Sequence, residues 1–491
     1  MIMITRKGLY VLFSISILAV ATNGSSATIP STPKSNIPTS NPISLTTPPP
    51  LQVIQKPNVA IILNTNARSV TAELIPLAES VLGKGAVYCT TTAEQARQAA
   101  LSLIKQNVSL VVAVGGDGTL SSMIHYLTQS IIQQQQKQNS TFTVDEAVAK
   151  LPTMAFIPMG TGNGVGSVIA CQAPIDINIG KPSLFARLFR RKVSKHAKFV
   201  QVLKLLPTVG NDLAYGTTNT KDMVDLVELP MMEVTTSCSE QDQGDLCFFA
   251  GVGFDSLLLQ DFKDVKAWSV RKGILRETLG SVTGYVVALV SKTLPKCIQR
   301  NAHQIQVEIT STDPHAVWID HRRGDVVRKL TSATQGDATP PMPTLVYKGT
   351  AGIVAAGTSP YYGGGLRLFP FARMTLDKMH LRVGRIHPLR GFLQIPRIFR
   401  GSYRDTRPGS FGCLDFLASD FTVSVRPTTT DITIAEEDTT ATTPKKKGYP
   451  LQHSGEAIGS CDQFRLRVVP SPVKFITFFK KRIVDDTLPS L

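Results

Sequence analysis

The sequence predicts an α/β domain, doubly wound around a parallel sheet, followed by a mainly β second domain. Three observations carry this. Apolar β-branched runs alternate with helical periods between about residues 59 and 170, as crossover-connected parallel strands do. Two of those runs stop at glycine-rich turns, Gly115-Gly116-Asp117-Gly118-Thr119 and Gly160-Thr161-Gly162-Asn163-Gly164. Beyond residue 170 short strand-like segments separated by Gly, Pro, Asn and Asp take over.

In chain order, Val59–Asn64 reads as a strand, Thr71–Leu82 as a helix and Ala86–Cys89 as a strand. Glu94–Gln106 has the helical period, with Ala96, Ala99, Ala100, Leu103 and Ile104 on one side and Thr92 near its start. A strand at 110–114 feeds the first glycine turn and a helix over Leu120–Thr128. Met154–Pro158 feeds the second turn. Further strands are expected at Phe199–Leu206, Met231–Thr236, Leu246–Val252, Ile305–Thr310, Tyr347–Ala356, His380–Val383 and Phe421–Arg426, with a helical stretch over Trp268–Leu294. Ile432–Gly448 is polar and Thr-rich and reads as an insertion.

The glycine turns carry the chemistry. Gly115, Gly116 and Gly118 lack a Cβ, so a ligand can reach their N–H groups. Thr119 opens a helix whose first amides have no intrahelical partner and attract anions. A carboxylate at Asp117 beside such a site suits proton abstraction from an attacking hydroxyl, or a role in holding Mg²⁺. Two turns at C-terminal strand ends of a parallel sheet would face one another across its crevice. Neither turn is a Walker A loop, since no Gly-Lys-Ser/Thr follows, and the spacing fails the dinucleotide fingerprint.

At these residues the chain resembles the diacylglycerol kinase catalytic-domain superfamily, which includes the sphingosine, ceramide and bacterial lipid kinases. Ile61–Arg68 is similar to the family's first strand and Asn-containing nucleotide loop. Phe249–Asp255 is similar to its GxGFD strand end, Pro360–Leu366 to its YYGGG segment, and Gly455-Glu456 to its late Gly-Glu. The likeness spans roughly residues 55–470 and implies a phosphofructokinase/NAD-kinase-like nucleotide domain with a sandwich-like β domain. It implies an ATP- and Mg²⁺-dependent enzyme that phosphorylates a lipid hydroxyl of diacylglycerol, a sphingoid base or another lipid alcohol. Asp117 would be the catalytic carboxylate, with Glu456 a second, metal-linked or orienting one. Asn64, Arg68, Gly115, Gly116, Gly118, Thr119, Gly160, Thr161, Gly162 and Asn163 would bind the nucleotide. Arg68 reads equally well as a surface cation, Asp255 as a turn residue, and Gly363–Gly365 as a tight turn. Two departures stand out: His453-Ser454-Gly455-Glu456 where many members carry Asp-Gly-Glu, and Leu376-Asp377-Lys378-Met379 where Asp-Gly is common. NAD kinases share the GGDGT turn, but the GTGNG turn favours the lipid kinases. An NAD-kinase-like enzyme, or a lipid- or nucleotide-binding member weakened by Ser454, is the alternative.

With 491 residues and 42% hydrophobic content, the chain buries a sizeable core. A formal charge of +16 points to an anionic surface or ligand, met by ATP and an anionic membrane surface. Nucleic acid is not an expected partner: aromatic content is 7% and no recognised binding motif appears. The seven cysteines are scattered without paired spacing, excluding a disulfide scaffold or zinc framework; only Cys238 and Cys247 flank a loop they could close. The oligomeric state, a homodimer included, is left open.

Arg6-Lys7, the apolar run Leu9–Val20 and the small residues after it form a signal-peptide or signal-anchor pattern over residues 1–27. Residues 28–54 read as a Pro/Ser/Thr-rich linker, 55–170 as the nucleotide domain, 171–470 as the β-rich lipid-binding domain and 471–491 as a basic-apolar tail. A membrane-associated protein of the secretory pathway or an organelle is expected. Phe185–Lys192 and Phe475–Arg482 combine apolar and basic residues as interfacial segments do, but a helix or strand packed on the core with its cations solvated is the favoured reading of each.

Overall fold

The computed structural model describes residues 58–67, 69–137, 141–160, 164–169, 195–217, 224–237, 244–272, 282–300, 304–321, 325–330, 343–362, 366–385, 388–403, 412–426 and 448–478. Its first lobe runs β1 (Val59–Asn64), α1 (Leu74–Leu82), β2 (Val87–Thr90), α2 (Ala93–Gln106), β3 (Leu110–Gly115), α3 (Asp117–Gln136), α4 (Val144–Ala149), β4 (Thr153–Pro158), α5 (Gly164–Val168), α6 (Lys195–Tyr215) and β5 (Asp225–Leu229). Thr92 caps α2 through a reciprocal pair with Gln95, as its position before the helical period suggests.

The sheet order is β2-β1-β3-β4, all parallel, and one-residue alternation sends side chains to opposite faces. Ala60, Ile62, Val111, Ala113, Met154 and Phe156 face α2 and α3. Val59, Ile61, Leu63, Val112 and Ile157 face α1 and α6. Helices thus cover both faces, which is the doubly wound arrangement. Phe199–Leu206, expected as a strand, lies within α6. Its apolar residues Phe199, Val202, Leu203, Leu206 and Val209 recur at helical spacing and bury one stripe. Gly210 of α6 presses on β1; a Cβ there would collide with the Val59 side chain.

The second lobe comprises β6 (Met232–Thr236), β7 (Asp245–Cys247), β8 (Phe249–Gly253), α7 (Phe254–Lys272), α8 (Val282–Ala288), a π-turn (Leu289–Thr293), α9 (Leu294–Arg300), β9 (Ile305–Ser311), β10 (Val317–Asp320), β11 (Val326–Lys329), β12 (Thr344–Ala351), β13 (Ile353–Gly357), β14 (Met379–Gly384), α10 (Pro388–Phe399), β15 (Cys413–Ala418), β16 (Asp420–Arg426), β17 (Tyr449–His453), β18 (Glu456–Cys461) and β19 (Gln463–Val468). Two antiparallel sheets result, β11-β10-β15-β14-β13-β8-β17-β18 and β12-β9-β16-β19-β6-β7. Val252, Val354 and Leu381 of the first share one apolar core with Val307, Val423 and Phe464 of the second, which makes the lobe sandwich-like.

The chain then returns. β20 (Val473–Thr477) pairs parallel with β4 and antiparallel with β5, extending the first sheet. Phe475, Ile476 and Phe478 are buried core, the packing that the sequence favoured for this segment over an interfacial one. The first sheet likewise draws on β5, beyond the boundary expected at residue 170. The leader, Phe185–Lys192, 479–482 and Cys238 lie outside the described residues; Cys247 is a buried free thiol. No helix among the described residues is long and apolar enough to cross a membrane.

Candidate active site

β3 is buried along its whole length and ends on Gly115. A Cβ on Gly115 would stand 2.5–2.8 Å from three Thr119 side-chain atoms, so no larger residue fits without moving Thr119. The Thr119 hydroxyl accepts from Asn64 Nδ2 at 2.8 Å and from the Gly116 amide at 3.4 Å. Asn64 therefore braces the ends of β1 and β3, and its own Oδ1 accepts from the Asn66 amide at 3.0 Å. α3 begins at Asp117, earlier than expected; Leu120 N–H is bonded to Gly116 C=O, leaving the amides of residues 117–119 without an intrahelical acceptor.

The two glycine turns meet. Gly115 C=O accepts from the amides of Met159 at 2.7 Å and Gly160 at 2.8 Å, and a Cβ on Gly116 would touch the Gly160 backbone at 3.5 Å. Asp117 completes the junction. One carboxylate oxygen accepts from the Gly164 amide and the other from Val165 at 3.2 Å, capping α5. Burial drives the Asp117 carboxyl up to about 6, outweighing the amides of Gly164, Gly166 and Val165. Arg68, Thr161, Gly162 and Asn163 lie outside the described residues.

The late segment arrives from the second lobe. β17 and β18 form a hairpin whose two turn residues, Ser454 (φ 47°) and Gly455 (φ 82°), are both left-handed. That is the pattern of a type I′ turn, which glycine favours and serine adopts less readily. The turn abuts Gly118, whose missing Cβ would lie 3.5 Å from Glu456 Oε1 and 3.7 Å from Ser454 C=O. Glu456 is solvent-exposed and pairs with Lys263 of α7 at 3.6 Å. The Ser454 hydroxyl is buried 2.8 Å from that of Ser121, one helical turn past Asp117.

Asp255, read from the sequence either as the end of the GxGFD segment or as a turn residue, occupies the first turn of α7. Its Oδ2 accepts from Tyr362 OH at 2.7 Å and from Gln452 Nε2 at 3.1 Å, while Gln452 Oε1 accepts from the Gly455 amide at 3.2 Å. Burial raises the Asp255 carboxyl above the usual carboxylate range against those bonds. The GxGFD and YYGGG segments and the late turn thus form one network. Gln452 carried no signal in sequence, because its role exists only through the β8–β17 register, Gln452 opposite Gly251.

These contacts bring Gly116, Gly160 and the Ser454-Gly455-Glu456 turn to the N-terminus of α3, whose free amides suit an anion; the carboxylates of Asp117 and Glu456 repel one and call for a proton or a cation beside it. Residues 58–196 match the family model of the diacylglycerol kinase catalytic domain. The resemblance drawn from the glycine turns holds over that stretch. No curated protein matches the chain. Among solved structures, a diacylglycerol kinase from Bacillus anthracis str. Sterne aligns with 87% of this chain and 98% of its own, at 11% identity and a TM-score of 0.42. Yeast NADH kinase complexed with NADH aligns with 85% of this chain and 83% of its own, at 10% identity and a TM-score of 0.36.

Proposed function

We propose that the chain is an ATP-dependent lipid kinase, transferring the γ-phosphoryl group to the hydroxyl of a membrane lipid such as diacylglycerol or a sphingoid base. The observation that carries this reading is the meeting of Gly116, Gly160 and the Ser454-Gly455-Glu456 turn at the N-terminus of α3. Phosphoryl transfer depends on positioning and charge neutralisation more than on covalent help from the protein. The free amides of residues 117–119 and the Thr119 hydroxyl suit phosphate oxygens. The lipid oxygen bonds to the γ-phosphorus as the bond to the β–γ bridging oxygen breaks, releasing ADP. Asp117 takes the hydroxyl proton; amide bonds occupy only part of its acceptor capacity, and a carboxyl near 6 is a better base than an ordinary one.

No group of three or more candidate ligands among the described residues forms a protein metal cage. Mg²⁺ is commonly held by one or two carboxylates plus substrate phosphates. Glu456, exposed beside Gly118, is the carboxylate that would hold it in this reading, and the ion would supply charge neutralisation at the phosphates.

The test is incubation of the purified protein with labelled ATP, Mg²⁺ and separate acceptors: diacylglycerol, sphingosine, ceramide and NAD. A labelled phospholipid, lost in Asp117→Asn and demanding more Mg²⁺ in Glu456→Gln, is the expected result. Labelled NADP with no lipid product would replace this reading with the NAD-kinase-like one. ATP binding without any labelled product would make the chain a binding protein.

A further inference from the structure

The geometry points to α10 as a membrane-docking face that seats on an anionic lipid surface. This deepens the lipid-kinase reading and rests on it for the class of partner. The sequence between Asp377 and Asp405 contains no acidic residue, whereas Lys378, Arg382, Arg385, Arg390, Arg397, Arg400 and Arg404 fall within it. Two of these cations are consumed inside the fold, Lys378 on Asp313 and Arg382 on Asp415. Arg397 and Arg400 are exposed and have no ion-pair partner among the described residues.

α10 is inserted between β14 and β15, and its inward face is settled by Ile398, which packs against the main core. The opposite stripe, at helical spacing, is Leu393, Pro396, Arg397 and Arg400, all exposed. Leu393 is 73% exposed, the highest value for a large apolar side chain among the described residues. The neighbouring helix α9 adds Ile298, 48% exposed. Apolar side chains held in water beside unpaired arginines are what an interfacial helix presents to headgroups. At 12 residues, α10 is roughly 18 Å long and lies on a bilayer rather than crossing its ~30 Å core.

Charge chooses the occupant. A second copy of this face would bring arginines against arginines. A polynucleotide would satisfy the cations but offers nothing to Leu393. An anionic bilayer satisfies both, because acyl chains take the leucine and phosphate headgroups the arginines.

The test is co-sedimentation of the full-length protein with vesicles of phosphatidylcholine alone or with 30 mol% phosphatidylserine (roughly the anionic load of a cytoplasmic leaflet), without ATP or acceptor. Expected is binding to the anionic vesicles that weakens with salt. Arg397→Gln and Arg400→Gln should each weaken it about fivefold, and Leu393→Asn should also reduce it, with unchanged thermal unfolding. Equal binding to neutral vesicles, wild-type binding by all three variants, salt-sensitive polynucleotide binding lost in Arg397→Gln, or a dimer dissociated by Leu393→Asn would each overturn the assignment. Vesicle binding without phosphoryl transfer would sink the kinase reading alone. Transfer to a short-chain soluble acceptor without vesicle binding would sink this one alone.

Discussion

The hydroxyls of Ser121 and Ser454 meet at 2.8 Å in a buried position, tying the first turns of α3 to a hairpin more than three hundred residues later. Nearby, Asp245 of β7 stands 3.3 Å from His453 and 3.8 Å from His125 of α3. Farther along the same interface, Arg467 of β19 joins Asp145 of α4 at 2.8 Å and Glu233 of β6 at 2.7 Å. The two lobes are thus stitched beside the site.

Ser454→Ala should destabilise the protein by about 1–3 kcal/mol, because the Ser121 hydroxyl is left buried without its partner. Adding Ser121→Ala should cost little more, since both polar groups are then gone. Urea denaturation of the single and double variants measures the coupling. Strict additivity would show that the two hydroxyls do not depend on each other.

The rate should follow the Asp117 carboxylate. With its carboxyl held at about 6 by burial, kcat/KM should rise with pH through that value and level off above it. Stability runs the other way. The folded group binds its proton more tightly than an ordinary carboxyl of 3.8, so its favourable contribution is full below about 4 and lost as pH rises through about 6. Asp117→Asn should abolish the rate limb and flatten that part of the stability profile. A wild-type pH–rate curve without a limb near 6 would exclude Asp117 as the base.

Gly115→Ala and Gly116→Ala should separate fold from site. The first puts a methyl 2.5 Å from the Thr119 hydroxyl, displacing the residue that Asn64 binds; a cost of about 1–3 kcal/mol is expected. The second meets only Gly160 at 3.5 Å, with φ at −100°, so stability should hold while the added methyl obstructs approach to the turn. Thermal unfolding and ATP affinity of the two variants check the contrast.

The nucleotide sheet was legible because β1, β3 and β4 are apolar runs and the crossover helices between them have their own period. Phe199–Leu206 misled because its run of apolar residues is dense enough to pass for a strand; only the spacing of the buried set decides for a helix. The glycine turns announced themselves locally, and their convergence followed from the strand order. The return of β20 to the first sheet had no local sign, since Phe475 and Ile476 are as apolar as an interfacial segment would be. Gln452 and Tyr362 were silent for the same reason: long-range register, not composition, brings them to Asp255.

Asp415 on β15 supplies the sharpest test of what holds the second lobe. It is fully buried, and Arg382 donates to it through Nε at 2.6 Å and Nη2 at 2.8 Å. His321 approaches at 2.6 Å and His380 at 2.9 Å, and His321 also reaches Asp325 at 2.6 Å. Burial alone would raise the Asp415 carboxyl, but Arg382 and His380 hold it well below the usual range. Burial likewise opposes the charge on His321, and Asp325 and Asp415 outweigh it, raising that imidazole above 6.5. The signs then differ. The Asp415 contribution is present above the ordinary carboxylate range and is lost only in strong acid, whereas the His321 contribution is full below about 6.5 and fades as pH rises through its raised value. Asp415→Asn leaves the Arg382 guanidinium buried without a counter-charge, a change that costs about 3–5 kcal/mol where such pairs have been broken. The variant should therefore unfold at markedly lower urea, and the decline of stability across the His321 titration should shrink, with Asp325 remaining as the partner of that imidazole. Unchanged unfolding in Asp415→Asn would mean that hydrogen bonding without charge suffices to anchor β14 to β15.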